Sequence, residues 1–146
     1  VGDLFRMMDA VPSDLVFSTA ATHSAEIAQL WGFVLCMGLF MVRSSAQSRQ
    51  LSADFASDLE RLQPPSDQRT FNELVFEPNL VWRLTPQQNH KTQLENHGLS
   101  ITALGTHLVS RQEGSVPAYA YHPFLKGGIR KKVADSTAGI KKILSR

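Results

Sequence analysis

Apolar and polar positions divide the chain into stretches of different period. Residues 1–23 make an N-terminal arm. Within it Leu4, Phe5, Met7 and Met8 give residues 1–17 the material for a short helix, and Pro12-Ser13-Asp14 marks a break. From 24 to 63 there is no proline, and Gly32 and Gly38 are the only glycines, so the pattern predicts one long helix. Its first half contains Leu30–Val42, thirteen residues without a polar side chain. Its second half is amphipathic: Leu51, Phe55, Leu59 and Leu62 recur at spacings of four, four and three and share a stripe. Pro64 and Pro65 end it. A helix of ~40 residues would be ~60 Å long at 1.5 Å per residue. That length implies a break near Arg43–Gln47 or an element that projects from one environment into another.

Beyond residue 66 the elements shorten. Phe71–Phe76 and Leu80–Trp82 are two short apolar runs around Glu77-Pro78-Asn79, suited to a hairpin or to extended arms lying against a neighbour. Thr85-Pro86 has the residue types of a helix start, which predicts a helix to about Asn96 with Gly98 as its cap. Leu99, Ile101, Leu104, Leu108 and Val109 suggest another helix, interrupted at Gly105, and Val116–Tyr121 an extended arm. The expected fold is mainly α: one long helix, its first half a candidate transmembrane span, with a small helical and irregular region over 66–125.

The apolar run governs the functional reading. Ile27–Val42 falls between the ~20 residues of a bilayer span and the 10–14 of a buried helix. Trp31 near one end suits an aromatic belt. Arg43 and Arg49 follow the run, whereas Asp3, Asp9, Asp14 and Glu26 precede it, which suits a positive-inside orientation. Ala28, Gly32 and Cys36 recur every four residues and, with Trp31, make a candidate helix-packing face. The expectation is a single span over 27–42, with a helix buried at a protein interface or in an ordinary core as the alternatives.

Composition narrows the classes. At 146 residues there is room for one domain. An apolar fraction of 42% and a charged fraction of 19% exclude a disordered chain. One cysteine excludes an internal disulfide framework and a multi-cysteine metal site. The net charge of +2 hides a polarity. Lys126, Arg130, Lys131, Lys132, Lys141, Lys142 and Arg146 face one acid, Asp135, giving +6 over the last 21 residues, while the rest of the chain is −4. Segment 126–146 is therefore a candidate anionic-surface binder, for acidic headgroups, phosphate or an acidic protein.

Positive signs of chemistry are lacking. His90 and His97 would lie ~10 Å apart along a helix, too far to share a metal. There is no His-Glu-x-x-His and no Gly-x-Ser-x-Gly. Lys126-Gly127-Gly128 has its lysine on the wrong side of the glycines for a phosphate loop. Cys36 has apolar neighbours on both sides, the setting of an inert buried thiol. Leu84–Gln88 with Leu99–Leu104 resembles the opening of a bacterial winged helix, but Gly105 and His107 stand where a basic recognition helix should come next. No catalytic, cofactor-binding or metal-binding residue is predicted, and no cofactor. The expected protein is a non-catalytic structural or accessory subunit of a membrane-associated complex, in a bacterial or organellar inner membrane. Its partners would be other subunits and lipid, with no small-molecule substrate. The alternative is a nucleic-acid-associated coat, filament or scaffold protein holding phosphate through 126–146.

Overall fold

The computed structural model describes residues 3–19, 25–62, 66–77, 79–110 and 120–121. In chain order these form α1 (Leu4–Asp9), β1 (Leu15–Ser18), α2 (Ala25–Trp31), β2 (Cys36–Val42), α3 (Ala46–Arg61), α4 (Asp67–Leu74), β3 (Arg83–Leu84), β4 (His90–Leu94), β5 (Leu99–Leu104), β6 (Val109–Ser110) and β7 (Ala120–Tyr121). Five strands make one mixed sheet in the order β2-β1-β5-β4-β3. β1 and β5 run parallel, and the other neighbours are antiparallel. β6 and β7 pair separately. The fold is therefore α/β, and the expectation of a mainly helical chain is overturned.

The long helix over 24–63 does not exist as one element. α2 ends at Trp31 because Gly32 takes φ +79°, the left-handed geometry of a helix cap, while its N–H still reaches Ala28 O at 2.9 Å. The apolar residues after this cap extend into β2 instead. A short apolar run fits a strand as well as a buried helix, and here Met37 packs against the main core and Leu39 and Met41 against a second cluster, while Gly38, Phe40 and Val42 are exposed. Arg43 closes the strand. Its guanidinium donates to Asp9 Oδ1 (2.9 Å) and to the carbonyls of Val11 and Ser13 (both 3.1 Å), tying β2 to the turn before β1. The arginine expected to flank a membrane is a backbone clamp. α3 then starts at Ser45, where Ser45 Oγ accepts from Ser48 N (3.0 Å) and Ser48 Oγ from Ser45 N (2.8 Å). Among the described residues no helix is long and apolar enough to cross a membrane.

The expected helix after Thr85-Pro86 is a hairpin. Thr85 Oγ1 accepts from Asn89 N (3.1 Å), and Thr85 N donates to Asn89 O (2.8 Å), so the threonine caps a turn between β3 and β4. A second turn at Glu95–Gly98, with Gly98 at φ +62°, leads into β5. β1 and β5 alternate as central strands do. Leu15, Phe17, Leu99, Ile101 and Ala103 join the core that also holds Leu51 of α3 and Phe71 of α4, while Val16 and Leu104 pack with Met8 of α1 on the other face. At the lower end of the sheet the Asp14 carboxylate accepts from Ser100 N and Ser100 Oγ (both 2.7 Å) and fixes the parallel register.

Candidate active site

The parallel pair β1–β5 sets the position of the site. In open α/β sheets, ligands collect outside the carboxyl ends of parallel strands. Here those ends are Ser18 and Leu104, and the residues just beyond them, Thr19 and Gly105–His107, line a cleft of ≈ 450 Å³. Thr19 is buried and its hydroxyl donates to Leu104 O (3.0 Å), holding the two strand ends together. Gly105 N donates to Asn89 Oδ1 (2.9 Å), which joins the β5 end to the β3–β4 turn. Only a glycine fits at 105. An added Cβ would lie 2.6 Å from the His107 ring and 2.7 Å from Gln88 O. Gln88 itself has φ +57°, which is uncommon for a non-glycine residue and recurs at ligand sites.

The opposite wall comes from the Gly32–Phe33 bend and from β3–β4: Phe33, Leu84 and His90. Phe33 and His90 rings pack at 4.7 Å between centroids, and Trp82 meets Phe33 edge-on at 4.9 Å. Two devices hold this bend over the sheet. First, β2 bulges against β1: Phe17 pairs with Phe40, but Ser18 pairs with Cys36, and Ser18 Oγ donates across the gap to Leu39 O (3.2 Å). Second, α4 replaces a missing strand neighbour with side-chain amides. Leu35 N donates to Asn72 Oδ1 (2.8 Å) and Met37 N to Gln68 Oε1 (3.0 Å), while Leu35 O accepts from Asn72 Nδ2 (2.9 Å) and from Gln68 Nε2. Gln68 and Asn72 are both buried. They are one helical turn apart, so both amides face β2.

The model of the nucleotide-diphospho-sugar transferase family matches residues 2–135. The chain belongs to the nucleotide-diphospho-sugar transferase family. Searches of curated proteins and of solved structures give no match. Family membership overturns the expectation of a non-catalytic structural subunit, the nucleic-acid-coat alternative and the exclusion of a small-molecule substrate. The apolar runs read as arms for neighbouring subunits pack on the transferase chain itself: Phe76 lies 5.9 Å and Trp82 5.3 Å from Trp31, ring to ring.

The residues singled out from the sequence of this transferase chain fall in different places. Ala28 and Trp31 lie on α2, Gly32 in the bend and Cys36 at the start of β2, so they do not share one helix; of the four, only Gly32 lines the cleft. On α3, Leu51 is buried, Phe55 packs edge-on against Phe71 at 5.5 Å, and Leu62 lies beyond the helix with 36% of its surface exposed. Leu59 is half-buried on the same helix. Lys126, Arg130, Lys131, Lys132, Lys141, Lys142 and Arg146 lie outside the described residues. The sequence reading missed Thr19, Phe33, Gln88, His90, Thr106 and His107. The signal that could have found them was indirect: glycines at 32 and 105, each next to residues able to stack or hydrogen-bond. The cleft offers hydroxyl, amide and imidazole groups. Among its described lining residues there is no Asp, Glu, Lys or Arg, and among the described residues no three metal-ligating side chains are gathered as a site.

Proposed function

We propose that this chain carries a glycosyl-transfer site at the carboxyl ends of β1 and β5. The observation that carries the reading is the family match over residues 2–135, together with a cleft at the carboxyl ends of the parallel strands, where α/β folds bind ligands. In the reaction, the bond between the sugar's anomeric carbon and the diphosphate breaks. The nucleoside diphosphate leaves with the electron pair, and an acceptor hydroxyl forms the new bond and gives up its proton. The imidazoles of His90 and His107 line the cleft and are groups able to accept that proton. Lys126, Arg130, Lys131 and Lys132, inside the matched region, fit the anionic diphosphate by charge.

The test is release of nucleoside diphosphate from a panel of nucleotide sugars, with and without sugar acceptors. Expected is turnover of at least one donor, lowered at least tenfold by His107→Ala or His90→Ala. A protein that neither binds nor turns over any nucleotide sugar in the panel refutes the assignment.

A further inference from the structure

Resting on that reading, the geometry points to Asn89 as a positioning residue: a buried side chain that sets where the His107 imidazole stands at the cleft. Asn89 is 6% exposed and sits between Gln88 and His90, two of the lining residues. Its backbone is fixed by Thr85: Asn89 N donates to Thr85 Oγ1 (3.1 Å) and Asn89 O accepts from Thr85 N (2.8 Å). The carboxamide is left to reach across. The β4–β5 ladder ends at the pair His90–Ala103, and beyond it Asn89 Oδ1 accepts from Gly105 N (2.9 Å) as a backbone carbonyl would. Gly105 O accepts from Leu108 N (3.0 Å), so Thr106 and His107 are the two middle residues of a turn that starts at Gly105. Both are exposed, whereas Gly105 is buried. Val109 holds the far end of the turn in the Met8 cluster, and Asn89 holds the near end. The His107 ring folds back over Gly105: a Cβ there would lie 2.6 Å from its Cε1 and Nδ1 and 2.7 Å from Gln88 O. A shift of the Gly105 peptide therefore moves the imidazole relative to the turn that carries Gln88 and His90. For a proton acceptor, a misplacement of ~1 Å can cost up to ~100-fold in rate.

A double-mutant cycle on nucleoside diphosphate release tests this, with the ring contacts read separately by NMR. Asn89→Ala should lower kcat about tenfold and leave KM for the donor within about twofold. In the His107→Ala background the same change should lower kcat by no more than about twofold, because its effect runs through an imidazole already gone. A side chain that only supports the fold would lower kcat equally in both backgrounds. Asn89→Asp, which keeps the acceptor oxygen, should recover most of the loss. Thr102→Val is the stability control: it breaks the buried Ser13–Thr102 hydroxyl bond (2.8 Å) and should lower the thermal midpoint with kcat unchanged. Nuclear Overhauser contacts from His107 Hε1 to the Gly105 Hα protons, present in the wild type, should vanish in Asn89→Ala while those between β4 and β5 persist. If Asn89→Ala does not fold, Asn89→Ser, whose shorter hydroxyl cannot reach Gly105 N, takes its place. The positioning role is overturned if the ring contacts survive, if the two losses in kcat multiply, or if Asn89→Asp is no better than Asn89→Ala. A wild type that turns over no nucleotide sugar defeats the glycosyl-transfer reading, and the ring contacts alone then decide the role of Asn89.

Discussion

Asn72→Ala should cost about 3 kcal/mol of folding stability, a large part of the ~5–15 kcal/mol typical of a domain. Asn72 is fully buried on α4. It accepts from Leu35 N (2.8 Å) and donates to Leu35 O (2.9 Å) and Gln68 O (2.7 Å). Leu35 O keeps a second donor in Gln68 Nε2, so its loss is partial. Leu35 N has no such reserve. Stranding a buried N–H costs ~1–3 kcal/mol, and each lost neutral hydrogen bond adds ~0.5–1.5 kcal/mol. Gln68→Ala should cost less, about 1–2 kcal/mol, because Asn72 still serves Leu35 O and only Met37 N is stranded. The double variant should exceed the sum of the two, since Leu35 O then loses both donors. Urea unfolding with an unchanged slope measures the loss, and amide exchange at Leu35 and Met37 locates it. A cost below about 1 kcal/mol for Asn72→Ala, or unchanged protection at Leu35, would falsify the view that α4 amides stand in for a strand.

Other consequences are smaller in scope. Gly105→Ala should lower stability by ~1–3 kcal/mol by urea unfolding, because its Cβ would overlap the Gln88 carbonyl, which cannot swing away as a side chain could. Gly32→Ala should cost ~1 kcal/mol in the same assay, from the left-handed φ alone, since its Cβ would meet nothing. Hydrogen bonds from Ser100 N and then Ser100 Oγ hold the Asp14 carboxyl below its usual 3.8. Its folded pKa is the lower one, so its stabilising effect is complete above pH ~4 and fades as pH falls below that. Denaturation midpoints of wild type and Asp14→Asn should therefore differ more at pH 7 than at pH 3, and an equal gap at both refutes the linkage. Arg43→Lys should recover little of the loss seen in Arg43→Ala by thermal melting, because one ammonium cannot span Asp9, Val11 and Ser13 as the guanidinium does.

The sequence is legible where one rule acts alone. On α3, Leu51, Phe55 and Leu59 keep the helical spacing of the stripe, whereas Leu62 falls past the helix end, and the Ser45–Ser48 cap that starts the helix went unread. It misleads where a signal has two structural uses. Thr85-Pro86 carries helix-start chemistry, yet the Thr85 hydroxyl accepts an N–H four residues on in a hairpin turn just as it would at a helix. Leu30–Val42 is apolar throughout, and hydrophobicity without period does not separate helix from strand. Gly32 marks the break, but a glycine is free to stay helical or to turn, and tertiary packing decides between the two. Arg43 read as a membrane flank because its carbonyl partners lie about 30 residues away. The site was hidden for a related reason. Gln68, Asn72, Asn89 and Thr19 are polar, and polar residues read as surface, whereas all four are buried.

Those four side chains share a physical task that explains why the cleft sits where it does. Around it the backbone leaves regular pairing: β2 bulges beside Ser18, Leu35–Met37 bonds to α4 side chains in place of an outer strand, and the Gly105 N–H past the end of β5 meets the β3–β4 turn. Buried backbone groups at such points need partners that the ladder does not provide. A side-chain amide or hydroxyl can fill that need while leaving space where a strand would have run. Apolar residues at 68, 72 or 89 would suit the hydrophobic core better by burial alone but would strand N–H groups at Leu35, Met37 and Gly105. Buried polarity at these positions therefore keeps the Phe33 wall and the Gly105–His107 edge in place, and through them the opening at the ends of β1 and β5.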